Sequence, residues 1–208
     1  MSYGFLEIAT TPGVKAVQAE MGSDHLWQDF HGDRAFDRFG PAEAAFIAER
    51  DSFYMATTSE TGWPYVQHRG GPKGFLNVLD ERTLAFADFR GNRQYISTGN
   101  LATNDRACLF LIDYPRRARL KIYGHAERIA LADAGPLLER IQPDGLGRRV
   151  ERVMRFRLEA FDWNCAQYIT PRFTQDDVTA AIAPLHERLA ALEAENAELR
   201  ARLAGDGA

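Results

Sequence analysis

The stretch from residue 53 to about residue 159 constrains the fold more than any other part of the chain. Short extended segments follow one another there with little room for helices between them. "FYMATTS" (53–59) and "WPYVQHR" (63–69) flank "SETGW", whose Thr-Gly pair suits a tight hairpin. "GGPKG" has too much Gly and Pro to continue a strand and reads as a loop or bulge. "FLNVLD" and "TLAFADF" are joined by "ERT" as a second hairpin, and "YISTGNLATND" reads as a short helix and turn. "RACLFLID" is a continuous apolar run, predicted as a strand buried on both faces. "RLKIYGHAERI" follows as a strand, and "DAGPLLERI" and "GRRVERV" suggest helical turns. "MRFRLEAFDWN" begins the last strand, with Met154, Phe156 and Leu158 on one side and Arg155, Arg157 and Glu159 on the other. Six or so antiparallel strands with short hairpins predict a mainly β (β+α) protein built on a β-barrel, not a βαβ sheet.

Helices flank this block. In "TPGVKAVQAEMG", Thr11 is a candidate N-cap, Pro12 suits the first helical position and Gly22 is a stop signal. "GPAEAAFIAER" predicts a second helix with Phe46 and Ile47 facing inward, and "DRAFDRF" between the two reads as a loop or short turn. Near the end, Ile182, Leu189 and Leu203 occupy heptad position a together with Asn196, and Leu185, Leu192 and Leu199 occupy position d. That is a coiled-coil seam, and an Asn at one a position favours a parallel, in-register pair. Arg188 and Glu195 at g would face Glu193 and Arg200 at e of a partner, so both contacts attract. The competing reading is an amphipathic helix packed on its own domain. Pro184 places the start of this helix near Ala183, and "FTQDDVTAAI" reads as a separate short helix capped by Thr174. The boundaries that follow are an N-terminal helical segment (1–50), the barrel (51–173) and a helical tail (174–208).

Composition excludes several classes. A net charge of -4 removes the basic excess that non-specific nucleic-acid binding needs. No apolar run approaches bilayer length, and the N-terminus lacks the charged and apolar regions of a signal peptide. The two cysteines, Cys108 and Cys165, form no C-x-x-C pair, so disulfide bonding is not expected and a cytoplasmic location is. The five histidines have no metal-ligand spacing, and a lone strand histidine such as His68 or His125 is more often structural than a ligand. The phosphate-loop, dinucleotide, nucleophile-elbow and H-E-x-x-H motifs are all absent.

What is left is a set of polar residues on strands that otherwise read as core. Gln67 and Arg69 share a face of their strand. Arg119, Lys121, Tyr123 and His125 share another, opposite Leu120, Ile122 and Gly124. Asp88 lies at a strand end on the face of Leu84 and Phe86, and Arg93 follows in the turn "GNRQ". Either these residues line a solvated face and a solvated turn, or they receive a phosphate-bearing ligand. Guanidinium groups pair bidentately with phosphate oxygens, and turn N–H groups can complete the cradle.

The run from "FYMATTSETGWPYVQHRGGPKGFLNVLDERTLAFADFRGNRQYISTGNL" to "RLKIYGHAERI", with "AFDWNCAQYITPRF" after it, resembles the pyridoxamine 5'-phosphate oxidase-like family of FMN-binding split barrels. The resemblance covers residues 40–173 and is nearest to an oxidase-related subgroup of unassigned substrate. It implies a six-stranded antiparallel split β-barrel that dimerises, with two FMN sites at the subunit interface. In the family an Arg and a Lys after a strand and short polar turn hold the phosphate; Arg93 matches the Arg, and Gln94 stands in place of the Lys. The resemblance assigns assistance to Asn92, puts Ala87 and Asp88 at the flavin's border, and gives flavin-contacting backbone to Pro72–Asn77, which includes Lys73, Gly74 and Phe75. A Gln that reaches across from the second subunit falls on Arg119. Trp163 either stacks near the flavin or fills the barrel mouth.

Two departures bear on the substrate. The family's vitamin oxidases carry a Lys where this chain has Asn77, and a C-terminal Arg-x-His that this chain lacks. Losing two phosphate-directed groups, at about 1.5–3 kcal/mol per charged hydrogen bond, argues against pyridoxamine phosphate itself. The expectation is a homodimeric FMN-dependent oxidoreductase acting on an unidentified small molecule. Its catalytic residues are unassigned, with Tyr123 and His125 the candidates to test. The alternative is a non-catalytic flavin, haem or deazaflavin module.

Overall fold

A computed structural model describes residues 4–28, 36–141, 150–163 and 166–205. The described chain begins with four helices: α1 (Gly4–Ala9), α2 (Pro12–Glu20), α3 (His25–Gln28) and α4 (Pro41–Ala48). In α2 the Thr11 side chain accepts a hydrogen bond from the Val14 N–H at 3.4 Å, Pro12 opens the helix, and Gly22 ends the segment in the left-handed region (φ 64°). Phe46 and Ile47 of α4 point into the core as the pattern predicts. Residues 33–35 of the "DRAFDRF" segment lie outside the described residues, and so does Cys165.

Among the described residues seven strands follow, one more than the six expected: β1 (Ser52–Thr58), β2 (Pro64–Gly70), β3 (Asn77–Asp80), β4 (Thr83–Phe89), β5 (Arg106–Asp113), β6 (Ala118–Ala130) and β7 (Val150–Trp163). Helix α5 (Ile96–Thr103) lies between β4 and β5, and α6 (Leu131–Ile141) between β6 and β7. All seven strands form one antiparallel sheet in the order β2-β1-β5-β6-β7-β4-β3. The turn predicted at Thr-Gly joins β1 to β2; Gly62 sits at φ 86° and the Ser59 N–H donates to the Trp63 carbonyl at 2.9 Å. Residues 150–153, part of the segment read as helical turns, are strand, paired with β6 and β4. The rest of that segment, residues 147–149, lies outside the described residues.

Period-two alternation puts one face of each long strand into a single core. Phe53 and Met55, Leu84 and Phe86, Leu109 and Leu111, Leu120 and Ile122, and Met154 and Phe156 meet there with Phe75 and Leu76. β5 is not buried on both faces: Ala107, Leu109 and Leu111 are buried, whereas Cys108, Phe110 and Ile112 are only half-buried. β4 is the strand covered on both sides, because Ala85 packs with Val153 against Ala134 and Ile141 of α6. Gly124 sits where β6 and β7 shift register, and a Cβ there would meet the Arg157 carbonyl oxygen at 2.2 Å and the Phe156 ring at 2.5 Å. Only glycine fits so close a backbone approach.

The described chain divides into two compact units, Met1–Asp113 with Ala118–Gln167, and Tyr114–Arg117 with Tyr168–Ala208. In the second, residues Gln175–Gly205 form one 31-residue helix, α7, with Pro184 inside it. The break expected at Pro184 does not occur. Proline removes one backbone hydrogen bond, and helix on both sides, rich in Ala, Leu and Glu, carries the chain through. Thr174 caps α7 by reciprocal bonds: its Oγ1 accepts from the Asp177 N–H at 3.1 Å, and Asp177 Oδ2 accepts from the Thr174 N–H at 2.9 Å.

Candidate functional site

The two ends of the seven-stranded sheet curl toward one another, and a buried ion pair marks the meeting. Arg69 of β2 donates from Nη1 to Asp88 Oδ1 of β4 at 2.6 Å, and both side chains are largely shielded from solvent. Arg152 of β7 approaches the other oxygen, Oδ2, at 3.5 Å. Burial pushes the Asp88 carboxyl above its ordinary pKa; the opposing pull of Arg69 and then Arg152 is smaller. Asp88 lies at the end of β4, and the turn after it carries Arg93.

That turn is strained. Arg93 (φ 65°) and Tyr95 (φ 54°) both occupy the left-handed region, which non-glycine residues adopt at a cost. Asn92 holds the turn from inside: its Oδ1 accepts from the Gln94 N–H and its amide donates to Gln94 Oε1, both at 3.1 Å. Tyr95 is the N-cap of α5 and supplies no side-chain cap, so the leading N–H groups of α5 lack that partner. Glu151 and Arg152 brace the arrangement. Tyr95 donates its hydroxyl to Glu151 at 3.1 Å, Arg152 lies 5.0 Å over the Tyr95 ring, and Arg152 Nη1 donates to Thr98 Oγ1 at 3.1 Å.

These elements enclose a small cleft lined by Gln67, Arg69, Asp88, Asn92, Arg93, Ser97, Thr98 and neighbouring residues. Two of the lining residues carry a buried polar atom with no hydrogen-bond partner among the described residues, Ser97 Oγ and Arg69 Nε. Ser97 is 1% exposed. A buried hydroxyl or guanidinium N–H without a partner is costly, and such atoms are where a ligand's acceptor would be taken up. An oxyanion fits: guanidinium N–H, hydroxyl and helix-start N–H are all donors.

Five of the residues singled out in the sequence are thus brought together: Gln67, Arg69, Asp88, Asn92 and Arg93. Gln94 is tied to Asn92 beside them, and Ala87 is buried next to Asp88 on β4. The other seven do not line this cleft. Phe75 is stacked on Phe53 in the core at 5.5 Å, so only its backbone is available. Lys73 and Gly74 lie in the turn before it, and Gly74 takes φ 80°. The Asn77 amide donates to the Phe75 carbonyl at 3.0 Å. Arg119 and Lys121 are on β6, where Lys121 pairs with Asp162 at 3.0 Å. Trp163 packs edge-on against Phe46 and donates Nε1 to Glu43 at 2.7 Å, which is core packing.

Tyr123 and His125 share a different hollow with Cys108 and Glu159. Tyr123 stacks on Phe5 at 4.4 Å, and His125 Nδ1 lies 2.9 Å from Asp105. Burial raises the Tyr123 pKa, with a further push from Cys108, and burial likewise raises that of Cys108. Sequence reasoning passed over Ser97, Thr98 and Arg152. The signal for the first two was a Ser-Thr pair in the opening turn of a helix that directly follows a strand and turn. Arg152 left none, because its role depends on a strand pairing.

The sequence profile described as pyridoxamine 5'-phosphate oxidase matches residues 39–161. No curated protein matches the chain. Among solved structures, HupZ of Group A Streptococcus is 16% identical with a TM-score of 0.48, over 65% of this chain and 100% of that one. An FMN-binding protein of Syntrophomonas wolfei is 14% identical with a TM-score of 0.46, over 74% of this chain and 97% of that one. A FAD-binding protein of Mesorhizobium loti is 12% identical with a TM-score of 0.40, over 61% of this chain and 94% of that one. At these scores the likenesses add nothing to the profile match.

Proposed function

The chain belongs to the pyridoxamine 5'-phosphate oxidase family, and on that premise we propose that it binds FMN by its phosphate in the Arg93 cleft and works as a homodimeric flavin oxidoreductase on a small molecule. The observation that carries this reading is the pair of buried donors without partners among the described residues, Ser97 Oγ and Arg69 Nε, on two residues that line the same cleft as Arg93 and its strained turn.

In this reading Arg93 supplies the charge for the phosphate; among the described residues it makes no ion pair. Arg69 reaches the same group through Nε while Nη1 stays on Asp88. Ser97 and Thr98 give hydroxyl donors, and Arg152 holds Thr98 in place from behind. Asn92 does not need to touch the ligand, since its bonds to Gln94 keep the turn in the shape that presents Arg93. The cleft encloses only ≈ 30 Å³ in one chain. That accommodates part of a headgroup and no ring system, so the flavin ring needs a second wall, which a second copy of the barrel would provide. Bound FMN would supply hydride or single-electron transfer at its ring. The substrate is not pyridoxamine phosphate in this reading. Asn77 brings no cation, and its amide is engaged by the Phe75 carbonyl.

The test is a fluorescence titration of the flavin-free protein with FMN and with riboflavin. FMN should bind far more tightly, and Arg93→Ala should cost FMN affinity about tenfold or more, at about 1.4 kcal/mol per tenfold, without changing riboflavin. Equal binding of the two flavins by the native protein would overturn the phosphate clasp. Bleaching of the bound flavin by NAD(P)H and recovery in air would support the oxidoreductase; a flavin that only dithionite bleaches would leave a binding module.

A further inference from the structure

We infer that residues 178–203 of α7 form the seam of a parallel, in-register two-stranded coiled coil with a second copy of this chain. No residue of α7 is buried. Its apolar side chains lie in one stripe: Val178, Leu185, Leu192 and Leu199 at d, and Ile182, Leu189 and Leu203 at a. They are exposed by amounts from 38% for Ile182 to 75% for Leu203. Val178 extends the repeat to the N-terminal side of Pro184, which an interrupted helix would not allow. Pro184 itself falls at position c, away from the seam.

Charge and polarity select the occupant and its direction. Residues at g and e meet across a parallel pair, which sets Arg188 against the partner's Glu193 and Glu195 against the partner's Arg200. Each contact occurs twice by symmetry, and all four attract. Asn196 at position a meets its own copy in a parallel pair and can exchange amide hydrogen bonds with it. Antiparallel pairing sets a against d, leaving the Asn196 amide opposite a leucine with no partner, which is costly in a buried seam. A second copy of this chain therefore satisfies every feature of the stripe, and does so in one register only.

The test uses the full chain with Cys108 and Cys165 replaced by serine and one new thiol in α7, equilibrated in a glutathione redox buffer. Leu199→Cys should cross-link to itself, and so should Leu185→Cys, while Ala194→Cys on the outer face should not. Mixing Leu199→Cys with Ile182→Cys should give no product that joins position 199 of one chain to position 182 of the other, because those positions lie about 26 Å apart along a parallel pair but face each other when a is set against d in an antiparallel one. Arg188→Glu should lower the effective thiol concentration at Leu199→Cys about tenfold, and adding Glu193→Arg should restore it. Cross-linking between positions 182 and 199 would mean an antiparallel pair and would overturn the inference. So would the absence of self-cross-linking, cross-linking of Ala194→Cys at the same level, or indifference to Arg188→Glu. These readouts concern the tail alone, so they stand or fall separately from flavin binding.

Discussion

Replacing Ser97 by alanine should change flavin-free stability and flavin affinity in opposite directions. Ser97 Oγ is buried without a hydrogen-bond partner among the described residues, and an unsatisfied buried polar group costs about 1–3 kcal/mol. Alanine removes the oxygen and keeps the Cβ, so nearly all packing around the position survives. The flavin-free variant should therefore be more stable by about 1 kcal/mol at the low end of that range. For a chain of 208 residues that corresponds to a rise in Tm of about 2–4 °C. In the complex the same hydroxyl would donate to a charged phosphate oxygen, and that bond contributes about 1.5–3 kcal/mol. FMN should then bind roughly 10- to 150-fold more weakly. Thermal and urea unfolding of the flavin-free protein, with flavin fluorescence titration of the same samples, measure both quantities. A riboflavin titration is the control, since a ligand without the phosphate should not sense the change. If Ser97→Ala lowers the Tm and leaves FMN affinity alone, the hydroxyl serves the fold, and the orphaned donor is no sign of a ligand.

Asp88 gives a pH dependence of defined sign. Its folded pKa is raised by burial above the ordinary value of 3.8, so the folded state holds the proton more tightly than the unfolded chain. The stability it contributes is complete below about that value and is lost as pH rises through the raised folded pKa. In urea unfolding at a series of pH values, the wild type should lose ground to Asp88→Asn as pH rises across that window; a gain would mean that Arg69 outweighs burial. Gly124→Ala should destabilise the barrel by on the order of 3 kcal/mol, because its Cβ would meet the Arg157 carbonyl at 2.2 Å; an unchanged urea midpoint would refute the close approach. Pro184→Ala should stabilise α7, by up to about 3 kcal/mol for an interior proline, visible as a later loss of far-ultraviolet helical signal on heating. A lower helical signal would show that the proline marks a real boundary.

Much of the architecture follows from short-range pattern. The hairpin at Gly62, the cap at Thr11, the alternation that buries Leu120 and Ile122 while turning Lys121 outward, and the stripe on α7 are each written in a few consecutive residues. They depend on period, turn chemistry and capping, and those act within one element. The closure of the turn "GNRQ" also belongs to this class, since its Asn-to-Gln bonds are local. Other features needed the folded chain. The meeting of Arg69 with Asp88 depends on how far the sheet curls, and the support that Arg152 gives Thr98 depends on which strand lies beside β4. Ser97 reads as an ordinary residue of a helix start until the surrounding elements bury its hydroxyl and leave it without a partner. The same holds for the raised pKa of Asp88, and for the covering of both faces of β4 while β5 is covered on one. Burial, desolvation and unmet hydrogen bonds are properties of what surrounds a group. Those surroundings come from segments tens of residues away, so pattern along the chain defines the parts, and only their packing defines the site.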